Sequence, residues 1–311
     1  MTATPLQTLI EHGPWPIDGG MAGELEARGY DLRSDLWSAR LLADDPDAIR
    51  DVHLTYFRSG ARVAITASYQ ASRSGFAAAG IPADEADRLL TLSVELARSA
   101  RDEALAAGIS GPLFVAASVG PYGATLHDGS EYRGQYGVTH DFLVAFHRER
   151  LAVLAAAGPD LFAVETIPDA FEAAALVDAL AEHPDIPAWL AYSCSDAGHT
   201  CGGDDIASAV RVAAAAPSVF AVGVNCTAPQ HVTGILMAMQ EATDLPLVAY
   251  PNAGATWDAS TGLWSEEGIG LLAASTTAEW VDHGALLIGG CCGLGPAAIS
   301  DLCETLTSNA R

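Results

Sequence analysis

Short apolar runs with little polar alternation recur along the whole chain, and longer amphipathic stretches separate them. Strands that are buried on both faces have this continuous apolar character, so the runs predict the strands of a parallel sheet. Eight such runs occupy residues 15–20, 63–68, 113–118, 161–166, 188–193, 219–224, 246–251 and 285–290. Between them, apolar residues return at helical spacing and predict helices, for example in residues 84–107, 139–157, 169–183, 204–216, 229–241 and 296–308.

Eight strands that alternate with about eight helices indicate a (β/α)₈ TIM barrel of the α/β class, formed as a single domain by residues 1–311. A doubly wound open sheet is the alternative fold. Such a sheet normally has fewer strands, and the glycine fingerprint G-x-G-x-x-G that follows its first strand is absent from this sequence. The barrel is therefore the predicted fold.

Local signals refine this picture. Asp169 and Asp204 are predicted to cap helices, and Pro296 suits the first turn of another. Two connections, 119–138 and 251–270, are long and rich in glycine and aromatic residues. Both follow strand ends, which is where a barrel carries its substrate loops.

Composition predicts a cytoplasmic location. The mean hydropathy is +0.22, yet no apolar run reaches the length of about 18–20 residues that a membrane span needs. The first residues of the chain show neither a basic segment nor a long apolar one, so no signal peptide is expected. In a reducing compartment, the six cysteines would be thiols or metal ligands and would not form a disulfide framework.

Charge limits the classes of partner and chemistry. The chain carries 39 acidic against 15 basic residues, a formal net charge of −24. Nucleic acids and anionic membrane surfaces are therefore not expected partners, whereas small cations are favoured; the sequence specifies no oligomeric state. All basic residues are arginine, and the absence of lysine excludes Schiff-base catalysis, pyridoxal phosphate attachment and P-loop phosphate binding.

Three cysteines stand where apolar strands end. Cys226 closes the run 221–226, and Cys291 and Cys292 follow the last predicted strand within a glycine-rich turn. Since the carboxyl ends of barrel strands meet at one mouth, these thiolates predict a zinc site whose fourth position stays open for a substrate. Buried packing or a redox pair is the alternative for the two adjacent thiols.

Other polar residues are predicted at the same mouth. Asp18 follows the first strand and Glu165 lies near the end of the fourth. These acids suit a general acid/base pair or a site for a substrate ammonium, with helix capping or arginine pairing as the alternative. A second metal site is a weaker interpretation of Cys194, His199 and Cys201, whose spacing matches no common zinc pattern. Cys303 is predicted to be a core residue of the last helix.

Five segments together resemble the homocysteine S-methyltransferase family, and the resemblance runs nearly from end to end. The pairing of a GVNC segment with a later GGCC segment is its most specific part. The five segments are DGGMAGELEARG (18–29), ITASYQAS (65–72), VETIPD (164–169), GVNCTAP (223–229) and GGCCG (289–293).

The resemblance implies a barrel in which Cys226, Cys291 and Cys292 bind Zn²⁺ and hold the thiolate of L-homocysteine. It implies that Asp18 and Glu165 hold the amino group of that substrate. The amides near Gly19 and Gly20 are then expected to face its carboxylate, and Asn225 is expected to orient a ligand or the methyl donor. No protein nucleophile is needed, because the zinc-bound substrate thiolate attacks.

The methyl donor implied by the resemblance is a sulfonium. Residues 120–137 and 250–254 resemble the branch that uses S-methylmethionine, with S-adenosylmethionine as the second donor. Aromatic rings would suit the positive sulfur. The donor-pocket candidates are Tyr69, Tyr122, Tyr132 and Trp257.

Two other functions remain as alternatives at this point. A phosphate-binding TIM-barrel enzyme is one, since a glycine-rich turn precedes the last predicted helix. The absence of lysine and the scarcity of nearby arginines count against it. The other is a non-catalytic zinc- or thiol-binding protein, which would have no need for Asp18 and Glu165 beside the thiols.

Overall fold

Strands and helices alternate along the chain in a computed structural model that describes residues 4–32, 38–254, 257–258, 263–264 and 272–309. The strands are β1 (Trp15–Pro16), β2 (Val63–Ile65), β3 (Phe114–Val119), β4 (Leu161–Ile167), β5 (Ala188–Tyr192), β6 (Val219–Asn225), β7 (Leu247–Tyr250), β8 (Trp257–Asp258), β9 (Leu263–Trp264) and β10 (Ala285–Ile288). All eight predicted strands are confirmed; the short antiparallel pair β8–β9 is additional to them in the described ranges.

The eight predicted strands form one parallel sheet in the order β1-β10-β7-β6-β5-β4-β3-β2. Its two outer members meet, because Ile17 bridges Val63 in parallel and the Asp18 amide donates to the Val63 carbonyl at 3.1 Å. The sheet is therefore a nearly closed barrel, and the open-sheet alternative is wrong.

Helices follow most of the strands and pack outside the barrel. They are α1 (Pro5–His12), α2 (Met21–Ala27), α3 (Ser38–Asp44), α4 (Pro46–Arg58), α5 (Arg73–Ala78), α6 (Ala83–Ala106), α7 (His140–Ala156), α8 (Ala170–Leu180), α9 (Ile206–Ala213), α10 (Pro229–Ala242), α11 (Ala274–Asp282) and α12 (Pro296–Asn309). The six helices predicted with bounds are all present. The long segment 119–138 folds as two 3₁₀ turns, Tyr122–Thr125 and Ser130–Tyr132.

Two of the three predicted helix starts are confirmed. The Asp169 carboxylate accepts from the Glu172 amide at 2.8 Å and caps α8, and Pro296 opens α12. The cap of α9 is Asp205, one residue beyond the prediction. Asp204 instead accepts from the Ala170 amide at 2.7 Å, so it caps the neighbouring helix α8.

The strands are buried on both faces, which explains their lack of polar alternation. Between the sheet and the helices lies the larger core cluster. The barrel interior is filled by a second cluster, in which the Trp189 indole N–H donates to the Tyr250 hydroxyl at 3.0 Å. The interior is thus packed, and the chemistry is left to the rim at the carboxyl ends of the strands.

Within the described ranges, no helix combines the length and the apolar character needed to cross a lipid bilayer.

Candidate metal centre and substrate site

Three thiols converge at the carboxyl ends of β6 and β10. The Sγ atom of Cys226 lies 2.8 Å from that of Cys291 and 3.7 Å from that of Cys292. The third separation, between Cys291 and Cys292, is 4.0 Å. Among the residues that the structure describes, this is the only group of three or more potential ligand side chains clustered tightly enough to share one ion.

The backbone fixes these thiols through neighbouring strand ends. Cys226 has a positive φ of 47°, and its amide donates to the carbonyl of Tyr250 at 3.3 Å. Cys291 donates to the carbonyl of Pro251 at 2.8 Å. The following turn passes through Gly293 at φ 80°, a conformation that favours glycine. These backbone contacts bring residues that are far apart in the chain to one point.

The donor set fits zinc. A tetrahedral Zn²⁺ with Zn–S bonds of about 2.3 Å places its sulfur ligands about 3.8 Å apart. Two of the three separations, 3.7 Å and 4.0 Å, agree with this spacing. The pair Cys226–Cys291, at 2.8 Å, would have to open by about 1 Å. All six cysteines of the chain are free thiols.

The thiols also influence one another's ionisation. Hydrogen bonds from Cys226 and Cys291 hold the pKa of Cys292 well below its ordinary range. The same contacts, together with burial, raise the pKa of Cys291. A cation bound by all three sulfur atoms would displace their protons, because the thiolate is the form that binds a metal.

Two buried carboxyl groups lie beside the thiols. Asp18 is 2% exposed, and its Oδ2 accepts from the Ile65 amide at 2.8 Å. Glu165 is 7% exposed and accepts from the hydroxyl of Ser118. Burial raises the pKa of Glu165 to about 7 and raises that of Asp18 as well, where the charge of Glu165 adds to the effect. Two buried acids in electrostatic contact favour a bound cation.

Aromatic side chains complete the rim; most belong to residues 119–138 after β3, called the aromatic loop below. The Tyr132 hydroxyl lies 3.5 Å from the Sγ atom of Cys226 and donates to it. Tyr69, at the end of β2, is half-buried, and its ring lies against Gly120, where a Cβ atom would come within 2.6 Å of it. Burial raises the pKa of Tyr69, and the charges of Glu131 and Cys226 raise it further. The structure thus brings Tyr69 and Tyr132 to the thiol cluster.

Comparison with known proteins agrees with this geometry. The family model described as homocysteine S-methyltransferase matches residues 17–306. The chain belongs to the homocysteine S-methyltransferase family. The matched range contains the three thiols and both buried acids, so the family assignment covers the entire rim of the barrel.

Relatives of this family align with nearly the whole chain. Homocysteine S-methyltransferase from Escherichia coli is 46% identical over 301 residues, covering 96% of this chain and 97% of its own. Homocysteine S-methyltransferase YbgG from Bacillus subtilis is 41% identical, covering 96% of both chains. The crystal structure of the metallated form of homocysteine methyltransferase MmuM from Escherichia coli superimposes with a TM-score of 0.88 at 44% identity, covering 97% of this chain and 99% of that one. The chain is therefore an enzyme of this family.

Asn225 has a different contact from the one predicted. Its side chain is fully buried, and its Oδ1 accepts from the Thr166 amide at 2.7 Å while its Nδ2 donates to the Thr166 hydroxyl at 2.7 Å. Thr166 has a positive φ of 61° and directly follows Glu165. Asn225 therefore holds the strand end that carries Glu165, and both ends of its amide are already occupied.

The glycines at the end of β1 serve close packing. The Gly20 amide donates to the Leu294 carbonyl at 3.0 Å, so it does not face a substrate carboxylate as predicted. A Cβ atom at Gly20 would lie 2.8 Å from the Cys291 carbonyl oxygen, and one at Gly19 would lie 2.3 Å from that of Leu294. These glycines let β1 approach the turn that carries the thiols.

One further donor-pocket candidate, Tyr122, is placed differently from Tyr69 and Tyr132. The Tyr122 ring packs edge-on against Tyr136, Phe142 and Phe146, with ring centroids 5.1–5.4 Å apart. The structure thus gives Tyr122 a packing contact beside α7. The side chain of Trp257 lies outside the described residues.

The region of Cys194 and Cys201 forms a small folded loop. Cys194 is buried, and its amide donates to the Thr227 hydroxyl at 2.9 Å. His199 instead pairs with Asp196, at 3.0 Å. The three side chains predicted as a second metal site are absent from the clusters found among the described residues. Cys303 is half-buried on α12, so its predicted core position is only partly attained.

Sequence reasoning missed a buried polar network behind the rim. Arg150 is 2% exposed and donates to the carbonyls of Gly120 at 3.0 Å and Tyr69 at 2.9 Å. Glu172 is fully buried and accepts from the Tyr122 amide at 2.6 Å and from His147 at 2.9 Å. These groups tie the aromatic loop to the ends of β2 and β3. The sequence signal for this network was a single charged residue on the apolar face of each helix, Arg150 on α7 and Glu172 on α8.

Burial of Glu165 predicts a pH-dependent cost in stability. The pKa of this group is about 7 in the folded protein against an ordinary 4.5, so the folded state binds more protons between these pH values. The free energy of unfolding then falls as the pH rises through this window, by at most about 3 kcal/mol. We expect Glu165→Gln to stabilise the metal-free protein more at pH 8 than at pH 5.

Urea unfolding at both pH values measures this effect. Glu241→Gln is the control, because Glu241 is exposed on α10 and its replacement should change stability equally at the two pH values. An equal change for Glu165→Gln would contradict the raised pKa.

Proposed function

We propose that this protein transfers a methyl group from a sulfonium donor to the thiolate of L-homocysteine, with Zn²⁺ held by Cys226, Cys291 and Cys292. One observation carries the proposal. Three thiols close enough to share one ion meet two buried carboxyls at the mouth of a barrel of the homocysteine S-methyltransferase family. Two further findings support it: relatives of this chain are named homocysteine S-methyltransferases, and a metallated relative superimposes on it.

The proposed metal site has three protein ligands and an open fourth position. Zinc bound there would supply a Lewis acid that lowers the pKa of the homocysteine thiol and keeps it as a thiolate. The chain's own part is to place the three ligands. Cys226, after β6, and the turn Cys291–Cys292, after β10, would hold the ion at the carboxyl ends of the strands.

Asp18 and Glu165 suit the ammonium group of homocysteine. Each carboxyl is buried and accepts a hydrogen bond, Asp18 from Ile65 and Glu165 from Ser118, and an ammonium between them would add a cationic partner. The cation would also lower both raised pKa values, because opposite charge favours the ionised acid. This role requires no proton transfer, so the ammonium-binding interpretation is favoured over an acid/base pair.

The donor approaches over the aromatic loop, and S-methylmethionine is the donor we propose, with S-adenosylmethionine as the second. The bond between the donor sulfur and its methyl group breaks and leaves its electron pair on that sulfur. The homocysteine thiolate supplies the electron pair of the new bond. With S-methylmethionine both products are methionine. Burial at this rim excludes water and favours the loss of opposite charges as the methyl group moves.

The two alternative functions fit the rim less well. A phosphate-binding site needs cationic or N–H donors, whereas the described rim presents three thiols and the carboxyls Asp18 and Glu165. The nearest buried arginine, Arg150, already donates to backbone carbonyls. A metal store or redox sensor would gain nothing from two buried acids that weaken its stability.

We also propose that residues 1–311 act as one domain in a reducing cytoplasm. The six free thiols support this location, since an oxidising compartment would threaten a cluster whose closest sulfur atoms are 2.8 Å apart.

A donor panel tests the proposed function. Zinc-loaded protein is supplied with homocysteine and one donor at a time: S-methylmethionine, S-adenosylmethionine, betaine or methyltetrahydrofolate. We expect two methionines per S-methylmethionine consumed, one per S-adenosylmethionine, and none with the other two. Methionine formation from betaine or methyltetrahydrofolate alone would contradict the sulfonium assignment.

A further inference from the structure

The loop after β3 buries a carboxylate oxygen for which the described part of the chain supplies no hydrogen-bond donor. Glu131, in the 3₁₀ turn Ser130–Tyr132, is 8% exposed. Its Oε2 atom is buried and accepts no hydrogen bond from the residues that the structure describes. The adjacent cation, Arg133, is exposed and is engaged by Asp128 at 3.5 Å and the Ser130 hydroxyl at 3.2 Å. Such an oxygen is unfavourable unless a cation or a hydrogen-bond donor completes it.

This carboxylate is held near the thiol cluster. The next residue, Tyr132, donates to Cys226. Burial raises the pKa of Glu131, and the charges of Asp128 and Cys226 add to the effect, while a backbone hydrogen bond and the charge of Arg133 oppose it. Glu131 in turn raises the pKa of Tyr69 at the end of β2. The side chain thus acts electrostatically on both the metal centre and the aromatic rim.

The loop is also rigidly placed. Asp128 accepts from the Ser130 amide at 2.9 Å. A Cβ atom at Gly123 would lie 2.6 Å from the Glu131 nitrogen, so the two 3₁₀ turns are in close contact. Glu172 anchors the first turn through the Tyr122 amide. Glu131 is therefore positioned before any ligand arrives, as a pre-organised binding group requires.

We propose that Glu131 is the counter-charge for the positively charged sulfur of the methyl donor. This inference rests on the proposed function. The other acids at the rim, Asp18 and Glu165, are assigned to the homocysteine ammonium, and the thiols to the metal. A sulfonium donates no hydrogen bond, so a nearby anion and aromatic faces are what recognise it. Glu131 beside Tyr69 and Tyr132 offers that combination.

The assignment predicts an effect on binding more than on the rate of transfer. The positive charge of the donor sulfur diminishes as the methyl group leaves, so Glu131 stabilises the bound donor more than the transition state. It also binds the neutral thioether product weakly, which favours release. Removal of this charge should therefore raise the KM for the donor, while kcat changes little or rises.

The test compares wild-type and Glu131→Gln protein, both loaded with zinc. Steady-state kinetics gives KM and kcat for S-methylmethionine and KM for homocysteine. The inhibition constant of 2-amino-5-methylhexanoate is measured as well; this molecule has the shape and ammonium group of S-methylmethionine, with carbon in place of the sulfonium. Calorimetry of S-methylmethionine binding adds a readout independent of turnover. Glu241→Gln, exposed on α10, is the matched control.

We expect Glu131→Gln to raise the KM and the Kd for S-methylmethionine by about tenfold to a hundredfold. The values for homocysteine and for the carbon analogue should stay within about twofold, as should all values for the control. The melting temperature should not fall, since an unpaired buried charge has been removed.

Other outcomes overturn the assignment. If the binding of S-methylmethionine and of its carbon analogue weakened equally, Glu131 would contact the ammonium group that both molecules share. A raised KM for homocysteine would place it in the acceptor site, and a loss of folding would make it structural. Unchanged donor binding would give it no role in recognition. If wild-type protein itself fails to use a sulfonium, the proposed function fails, which is a separate result.

Discussion

Replacement of Cys291 by alanine is expected to abolish both zinc binding and methyl transfer. Cys291 lies 2.8 Å and 4.0 Å from the other two sulfur atoms, so its loss leaves two ligands where a catalytic zinc site needs three. Without the ion the homocysteine thiol keeps its ordinary pKa and loses its anchor. We expect activity to fall by at least about a thousandfold. Cys226→Ala and Cys292→Ala should behave in the same way.

Metal analysis and turnover, measured on the same preparations, check this expectation. Cys303→Ala is the matched control, because Cys303 lies on α12 outside the thiol cluster. It should retain one zinc per chain and nearly full activity. A Cys291→Ala protein that turned over normally without zinc would refute the metal-based account, whatever its fold.

Glu165→Gln is expected to have the second-largest effect, a loss of homocysteine affinity. Removing one partner of a buried carboxylate–ammonium pair costs roughly 2–5 kcal/mol of binding free energy, so the KM should rise by about thirtyfold or more. The amide keeps the shape of the side chain and can still accept from Ser118. Asp18→Asn should give a similar loss. The KM for S-methylmethionine should change little in either variant.

An acceptor without an amino group separates ammonium binding from acid/base catalysis. With 4-mercaptobutyrate in place of homocysteine, wild-type and Glu165→Gln protein should have similar KM and kcat values. A fall in kcat with this acceptor would indicate that Glu165 transfers a proton, and an unchanged KM for homocysteine would remove it from the substrate site.

The barrel could be predicted because its signals are local. Each strand is a short run that is apolar on both faces, and each long helix repeats its apolar residues at helical spacing. The thiols could be placed because strand ends in a barrel share one rim, so position along the chain determines position in space. Even so, one helix boundary was misplaced by one residue: Asp205 caps α9, where Asp204 was predicted.

Long-range side-chain contacts could not be predicted from such patterns. Asn225 follows a strand end, which suggested contact with a ligand, but its amide faces the backbone of Thr166 on another strand. The amide of Gly20 is used by Leu294, more than 270 residues away. Arg150 lies on helix α7, and the helical pattern does not show that its side chain bonds to backbone carbonyls of Gly120 and Tyr69. Only the folded chain brings these partners together.

The buried carboxyl groups of the site lower the stability of the fold. Asp18, Glu131 and Glu165 are all buried, and burial raises the pKa of each. In the proposed complex two positive charges would relieve these three groups: the ammonium of homocysteine beside Asp18 and Glu165, and the sulfonium of the donor beside Glu131. Buried charges that are unfavourable on their own would thus become specific contacts in the complex.

X-ray absorption at the zinc edge, with and without homocysteine, tests the central claim most directly. The account predicts three sulfur ligands at about 2.3 Å in the zinc-loaded protein and four after homocysteine is added. Fewer than three sulfur ligands before addition, or no gain of a sulfur ligand after it, would contradict a thiol-built centre that opens toward the substrate.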